Sequence, residues 1–300
     1  MIKDVLKKIV PDFILLQWRK YSENKERRKL NKLGRAVINY LDNIPSQDMN
    51  GEKQAVLDYL KCHPLSVFPY SYTEKYKPED VIVYLDAEKE MCYVLQDGKR
   101  LYFKKGWNEK KVQAYYNGLL IEQDAASPHR YETGDFHVCE GDVVVDAGVA
   151  EGNFALSVIE KVEKIYLFEV DKAWITALEA TFAPWKEKVV IVNKYVSDND
   201  EENCITLDTF FGNENIDFIK ADIEGAEPLL VVGATTILSA QTPLKVALCT
   251  YHTQNDAETL RKMLSEKGFC AEFSKGYMLF VYDKYLAPPY LRRALIRAAK

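Results

Sequence analysis

Gly141-Asp-Val-Val-Val-Asp-Ala-Gly-Val-Ala-Glu-Gly-Asn-Phe-Ala-Leu-Ser-Val-Ile-Glu160 reads as a buried strand, a glycine turn and an amphipathic helix in direct succession. Val143, Val144 and Val145 form the short β-branched run of a parallel strand covered on both faces. Gly148 and Gly152 bracket the turn. The first can adopt a backbone angle closed to other residues, and the second allows close approach to the first helical turn. Phe154, Ala155, Ile159 and Val162 recur at helical spacing and would pack that helix on a sheet.

The turn also discriminates between ligands. A dinucleotide fold wants G-x-G-x-x-G so that a pyrophosphate can rest on the helix N-terminus, whereas this chain has only Gly148-x-x-x-Gly152. Before the turn stands Asp146, a strand-end carboxylate suited to a ligand ammonium group. S-adenosylmethionine carries such a group and no phosphate. Ile165-Tyr-Leu-Phe-Glu169 is a second buried strand ending in an acid, where a carboxylate can accept both hydroxyls of a ribose. The plainer alternative is a tight strand-to-helix turn with Asp146 and Glu169 as solvated strand ends.

Bulk composition narrows the class. With 300 residues and 47% apolar content, the chain can bury one large domain plus an accessory region. A net charge of -5 argues against a general nucleic-acid binder. Residues 1–32 hold ten Lys or Arg against four Asp or Glu, so a basic arm precedes an acidic body. The six cysteines (Cys62, Cys92, Cys139, Cys204, Cys249 and Cys270) include no C-x-x-C pair, which points away from zinc and disulfides and toward a reducing cytoplasm. No apolar run approaches the ~20 residues that span a bilayer. Val10-Pro11-Asp12 interrupts the early hydrophobic segment, against a signal peptide.

Three regions are expected: an N-terminal helical and α+β accessory region over 1–125, a ligand-binding α/β domain over 126–285, and a basic helix over 286–300. Residues 1–42 read as two helices carrying an apolar stripe of Ile14, Leu15, Trp18 and Tyr21. That stripe and the basic Tyr290-Leu-Arg-Arg-Ala-Leu-Ile-Arg297 suit either packing on the body or docking at a membrane surface or partner. One short helix lies near Gln54 to Lys61. Val81–Leu85, Met91–Leu95 and Arg100–Phe103 are strand-like, the last two joined through Asp97-Gly98, before a helix over 108–122.

Ser127-Pro128-His129-Arg130-Tyr131 opens the core, offering a base (His129), an anion clamp (Arg130) and a stacking surface (Tyr131). Asp171 can cap a helix that turns Trp174, Ile175, Leu178 and Phe182 inward. Val189–Val192 is a third strand leading to Ser197-Asp198, where an acid can receive an adenine amino group. Ile216-Asp-Phe-Ile-Lys-Ala-Asp222-Ile-Glu224-Gly-Ala-Glu227 delivers Asp222 and Glu224 to the carboxyl edge at which open α/β sheets bind ligands. These two acids can orient a substrate hydroxyl, hold an amine or share a divalent cation, although no wider set of metal ligands is visible. A fifth strand, Leu244–Thr250, ends at Tyr251-His252 beside Asp222. His252 is therefore the first general-base candidate, His129 the second and Asp222 the third. Phe269–Phe273 and Tyr277–Tyr282 are expected to form the closing antiparallel hairpin.

This alternation is similar to that of class I, Rossmann-like S-adenosylmethionine-dependent methyltransferases, a doubly wound, mostly parallel sheet with a C-terminal antiparallel hairpin. Val145-Asp-Ala-Gly-Val-Ala-Glu-Gly152, Thr206-Leu-Asp-Thr-Phe210 and Ile216 to Glu227 resemble the FkbM family, the last through its K-x-D-x-E-G-A-E. The resemblance covers Gly141 to Asp283. It implies methyl transfer to oxygen on a sugar or small molecule in polysaccharide or natural-product pathways. It places Asp146, Gly148 and Gly152 around the methionine part, Glu169 at the ribose, and Asp222 with Glu224 at the transfer edge. Ser197 and Asp198 join the cofactor set, and Arg130, Tyr131 and Tyr251 face the acceptor. Two positions depart from the family's usual pattern: Glu151 replaces an Asn, and Cys249-Thr-Tyr-His252 replaces an ending in an acid. A non-catalytic cofactor-binding module of a surface-polysaccharide assembly is the second reading. A nucleotide-sugar epimerase or dehydrogenase is the third, and the missing G-x-G-x-x-G counts against it.

Overall fold

Four apolar segments buried on both faces and a fifth, half-buried one at the edge stack side by side in parallel. The computed structural model describes residues 12–300, and side chains from Arg27 onward. The Ile14, Leu15, Trp18 and Tyr21 stripe and the Val10-Pro11 break therefore lie outside what is described. The accessory region holds helices α1 (Asp12–Asn43) and α2 (Gly51–Cys62), strands β1 (Tyr84–Asp86), β2 (Met91–Gln96) and β3 (Lys99–Tyr102), and helix α3 (Glu109–Glu122). The core follows with β4 (Val143–Ala147), α4 (Asn153–Val158), β5 (Lys164–Phe168), α5 (Lys172–Phe182), β6 (Val189–Val192), β7 (Tyr195–Val196) and β8 (Cys204–Ile205). It ends with α6 (Leu207–Phe211), β9 (Phe218–Ala221), α7 (Glu227–Gly233), α8 (Thr235–Ser239), β10 (Lys245–Cys249), α9 (Asp256–Glu266), β11 (Cys270–Phe273) and β12 (Leu295–Ala299).

Helix α1 is continuous where two helices were expected. No Gly or Pro falls between Asp12 and Leu33, and the Glu, Lys and Arg of that run are strong helix formers. The β2–β3 turn has Asp97 at φ 50° and Gly98 at φ 77°, the two positive angles a two-residue hairpin requires. The three-stranded sheet leans on α4 and α5, and the Tyr102 amide donates to the Thr181 hydroxyl of α5 at 3.0 Å.

The main sheet has the order β11-β12-β10-β9-β4-β5-β6. Strands β10, β9, β4, β5 and β6 are parallel, with β6 at one edge, and β12 runs antiparallel to both β10 and β11. Val144, Val145, Ile165, Leu167, Phe218, Ile219, Val246 and Leu248 are all fully buried, as strands covered on both faces require.

The C-terminus departs from expectation. Residues 295–299 form β12 and not part of a basic helix over 286–300, so the closing pair is β11 with β12 and Tyr277–Tyr282 is no strand of the main sheet. The slot between β10 and β11 decides this, because Leu295, Ile296 and Ala298 lose almost all exposure there, a gain larger than the helix propensity of Leu-Ile-Arg-Ala-Ala. Within β12, the Arg297 side chain donates to the carbonyls of Arg130 and Tyr131. Residues 277–291 instead bind the accessory helices: Tyr277, Leu279 and Leu291 pack on Val37, Leu41, Val56, Leu57 and Leu60. Among the described residues, no helix is long and apolar enough to cross a membrane.

Candidate active site

The β4 turn and the end of β9 meet through one missing side chain. Gly148 has φ +72°, and a Cβ built on it would lie 1.9 Å from the Asp222 carbonyl oxygen. Gly152, at φ +87°, has a different task from the expected cofactor contact. A Cβ there would meet Leu178 and Phe182 of α5 at 2.8 and 2.9 Å, so this glycine lets two helices close on each other. Gly233 similarly lies against the Ser197 carbonyl, where a Cβ would come within 1.9 Å.

Asp146 faces inward. It is 1% exposed and forms an ion pair with Lys220 of β9, whose Nζ lies 2.8 Å from Asp146 Oδ1 and donates to the Gly148 carbonyl at 2.9 Å. The sheet register makes these two residues neighbours across β4 and β9. Burial favours loss of the Lys220 proton, but the charges of Asp146 and Asp222 outweigh it and hold the amine above its ordinary value. A lysine of the protein thus occupies the place expected for a ligand ammonium.

Glu169, at the end of β5, accepts the amides of Ala150, Val170 and Asp171 at 2.9, 2.8 and 2.7 Å. Those bonds fix a carboxylate at the wall of a cavity of about 470 Å³, which Gly148, Phe168, Trp174, Val196, Ser197, Asp222 and Glu224 also line. This lies within the roughly 300–1,000 Å³ typical of small-molecule sites. Asp198, expected near an adenine, is exposed beyond it, and the Glu224 side chain points outward at 92% exposure.

Asp222 organises the other end. Tyr251 Oη donates to its two oxygens at 3.0 and 3.2 Å, Tyr131 Oη donates at 3.3 Å, and the Nε2 atoms of His252 and His129 stand 3.4 and 3.7 Å away. Burial pushes the Asp222 carboxyl up, but His129, Lys220 and His252 hold it below its usual value. His129 is pulled down to about 4 by burial, so it stays neutral at pH 7. His252 moves upward: burial opposes its charge, but Glu227, 3.4 Å from Nδ1, together with Asp222 and Glu224, overcomes that. Arg130 sits apart, donating to the Glu132 carbonyl and lining a separate cleft with Gln96, Glu132 and Ser157.

Residues 192–270, which span β7 to α9 and this acid-bearing edge, match the family model for the methyltransferase FkbM domain. Over those residues the chain resembles the methyltransferase FkbM domain. No curated protein sequence matches it. Among solved structures, the methyltransferase FkbM from Methylobacillus flagellatus is similar at 16% identity and TM-score 0.46, over 66% of this chain and 56% of that one. This chain therefore spans little more than half the length of that protein. An rRNA methylase from Streptococcus thermophilus shares 14% identity over 54% of this chain and 88% of its own, with TM-score 0.37. A Streptococcus mutans protein solved with S-adenosylhomocysteine shares 12% identity over 54% and 91%, with TM-score 0.38.

The cavity fits S-adenosylmethionine on its own chemistry. Glu169, Asp222 and Glu224 oppose a single Lys194 along its lining, so a sulfonium ligand is favoured and a pyrophosphate repelled. Glu169 would take the ribose hydroxyls, Phe168, Trp174 and Val196 the adenine, and Gly148 with Asp222 the methionine side. Asp222, Glu227 and His252 also bring one ligand atom each within 4.8 Å of one another, a spacing compatible with a metal ion, although Glu227 Oε1 already accepts the Ile223 amide.

Lys220 and Glu122 escaped the sequence reading, and Glu151 entered it only as a departure from the resembled family's pattern. A lysine inside the apolar run Ile216 to Ala221 was the available signal for the first. Glu151 is 3% exposed and accepts the Tyr115 hydroxyl at 2.8 Å, which ties the glycine turn to α3. For His252→Ala, turnover should fall about tenfold to a hundredfold while S-adenosylhomocysteine affinity changes less than about threefold, because the ring buttresses Asp222 and does not line the cofactor cavity. Calorimetry beside a methyl-transfer assay checks both halves.

Proposed function

We propose that the protein transfers the methyl group of S-adenosylmethionine to a hydroxyl oxygen of a sugar or other small molecule, in polysaccharide or natural-product biosynthesis. When bound, the cofactor supplies an activated methyl on a neutral leaving group, so the protein's task is largely positioning. The observation that carries this reading is the acid-lined cavity beside Gly148, which adjoins a second pocket through the Asp222, Tyr251 and His129 wall. Glu169 fixes one end of the donor site through three backbone bonds. Asp222, kept ionised by its neighbours, supplies negative charge where a cationic methyl donor must lie. The test is incubation with S-adenosylmethionine and a panel of glycan precursors, with S-adenosylhomocysteine release as the readout. Release that depends on an added glycan is expected. Cofactor binding without release from any precursor would favour the non-catalytic module instead.

A further inference from the structure

The base candidates taken from sequence are poorly matched to their task. His129 is neutral but a weak base, Asp222 is a stabilised carboxylate held by two tyrosines, and His252 is drawn toward its protonated form by Glu227. An effective base needs to sit in the acceptor's path with an affinity for protons near that of the medium.

Behind the Tyr251 and His129 wall lies a pocket of about 380 Å³, built from residues 66–73, the end of α3 and residues 278–282. Phe68, Tyr251, Met278 and Phe280 supply its apolar walls, Tyr282 stands at its rim with 75% exposure, and Glu122 and His129 are its ionisable groups. No Lys or Arg lines it among the described residues. Glu122 is the last residue of α3, half-buried and facing this open space, and no donor among the described residues satisfies its carboxyl group.

Resting on the methyltransferase reading, we infer that this pocket is the acceptor site, that it takes an uncharged ring such as a glycoside, and that the Glu122 carboxylate receives the acceptor's proton. The aromatic walls suit the apolar face of a sugar or aglycone, and the lack of cations disfavours a phosphate or nucleotide sugar. In the step, the acceptor O–H bond breaks with its proton passing to a Glu122 oxygen. The oxygen's electron pair forms the new O–CH₃ bond while the C–S bond of the methyl donor breaks, leaving a neutral thioether. Burial, helped by the charges of Asp222 and Glu151 and opposed by Lys220, raises Glu122 to about 8. The hydroxyls of Tyr72, Tyr115, Tyr131 and Tyr251 and the neutral His129 are the other titratable groups near it. The proton-accepting form therefore grows as pH rises toward 8, and turnover should rise with it and then level.

The experiment compares the full chain with Glu122→Gln, Glu122→Asp and Phe280→Ala. S-adenosylhomocysteine binding is measured by calorimetry, p-nitrophenyl β-glucoside and UDP-glucose binding by saturation-transfer NMR, and methyl transfer to the glucoside by S-adenosylhomocysteine release. Expected are glucoside but not UDP-glucose binding, glucoside binding weakened at least about tenfold by Phe280→Ala, and a loss on the order of 100-fold in turnover for Glu122→Gln. Glu122→Asp should recover part of that loss, and S-adenosylhomocysteine affinity should be unchanged throughout. With glutamate labelled at its side-chain carboxyl carbon, one resonance should titrate near pH 8 and vanish in Glu122→Gln. Glu122→Gln turnover within threefold of wild type, no such resonance, or preference for UDP-glucose would overturn the inference and leave the transferase reading standing. Failure of wild type to bind S-adenosylhomocysteine would remove the transferase reading and the inference with it.

Discussion

Lys220→Met is expected to cost about 3–5 kcal/mol of folding stability, a fall in Tm on the order of 10 °C, seen in urea unfolding and calorimetric scans. The side chain is 4% exposed and neutralises an Asp146 that is 1% exposed. No hydrogen-bond donor among the described residues meets the Asp146 oxygens in bonding geometry, so removing the amine leaves a buried charge without compensation. The same substitution frees the Gly148 carbonyl from its 2.9 Å bond and loosens the cofactor turn. The double variant Asp146→Leu/Lys220→Met separates the two effects. It should regain most of the stability, because apolar replacements of a buried pair are often neutral, but not the grip on Gly148. If Lys220→Met alone unfolds like wild type, the pair does not have the structural role assigned to it.

Gly148→Ala is expected to lower S-adenosylhomocysteine affinity on the order of 100-fold and to destabilise the fold by about 2–5 kcal/mol. The added methyl would sit 1.9 Å from one backbone atom of Asp222 and 2.8 Å from another, and neither can rotate away as a flexible side chain could. The positive φ adds its own strain. Gly98→Ala is the matched control: it has a similar φ of +77° but nothing within 4 Å of the added Cβ, so it should carry the backbone strain alone and keep the affinity. Calorimetric titration of both variants checks the difference.

The central half of the molecule could be read from its residues because local signals and tertiary demands agree there. The valines of β4, the positive-φ glycine at 148 and the Asp171 side chain that caps α5 by accepting the Ala173 amide each specify one local structure. His252 and Asp222 could be placed together because β9 and β10 are adjacent parallel strands, and their ends converge as expected. The C-terminus resisted because Leu-Ile-Arg-Ala-Ala has good helix propensity, and only the slot between β10 and β11 makes it a strand. Asp146 invited a ligand role because strand register, which sequence alone does not display, is what brings Lys220 beside it. Glu122 gave no signal at all. Its pocket is assembled from three segments far apart in the chain, and a carboxylate at a helix end looks like any solvated residue until those segments close around it.

The central claim, that the acid-lined cavity beside Gly148 binds a sulfonium nucleoside, is tested most directly by calorimetric titration of S-adenosylmethionine into wild-type protein, with NAD as the comparison. One saturable site for S-adenosylmethionine, lost in Gly148→Ala and absent for NAD, is the predicted result. Heat from NAD and none from S-adenosylmethionine would contradict it.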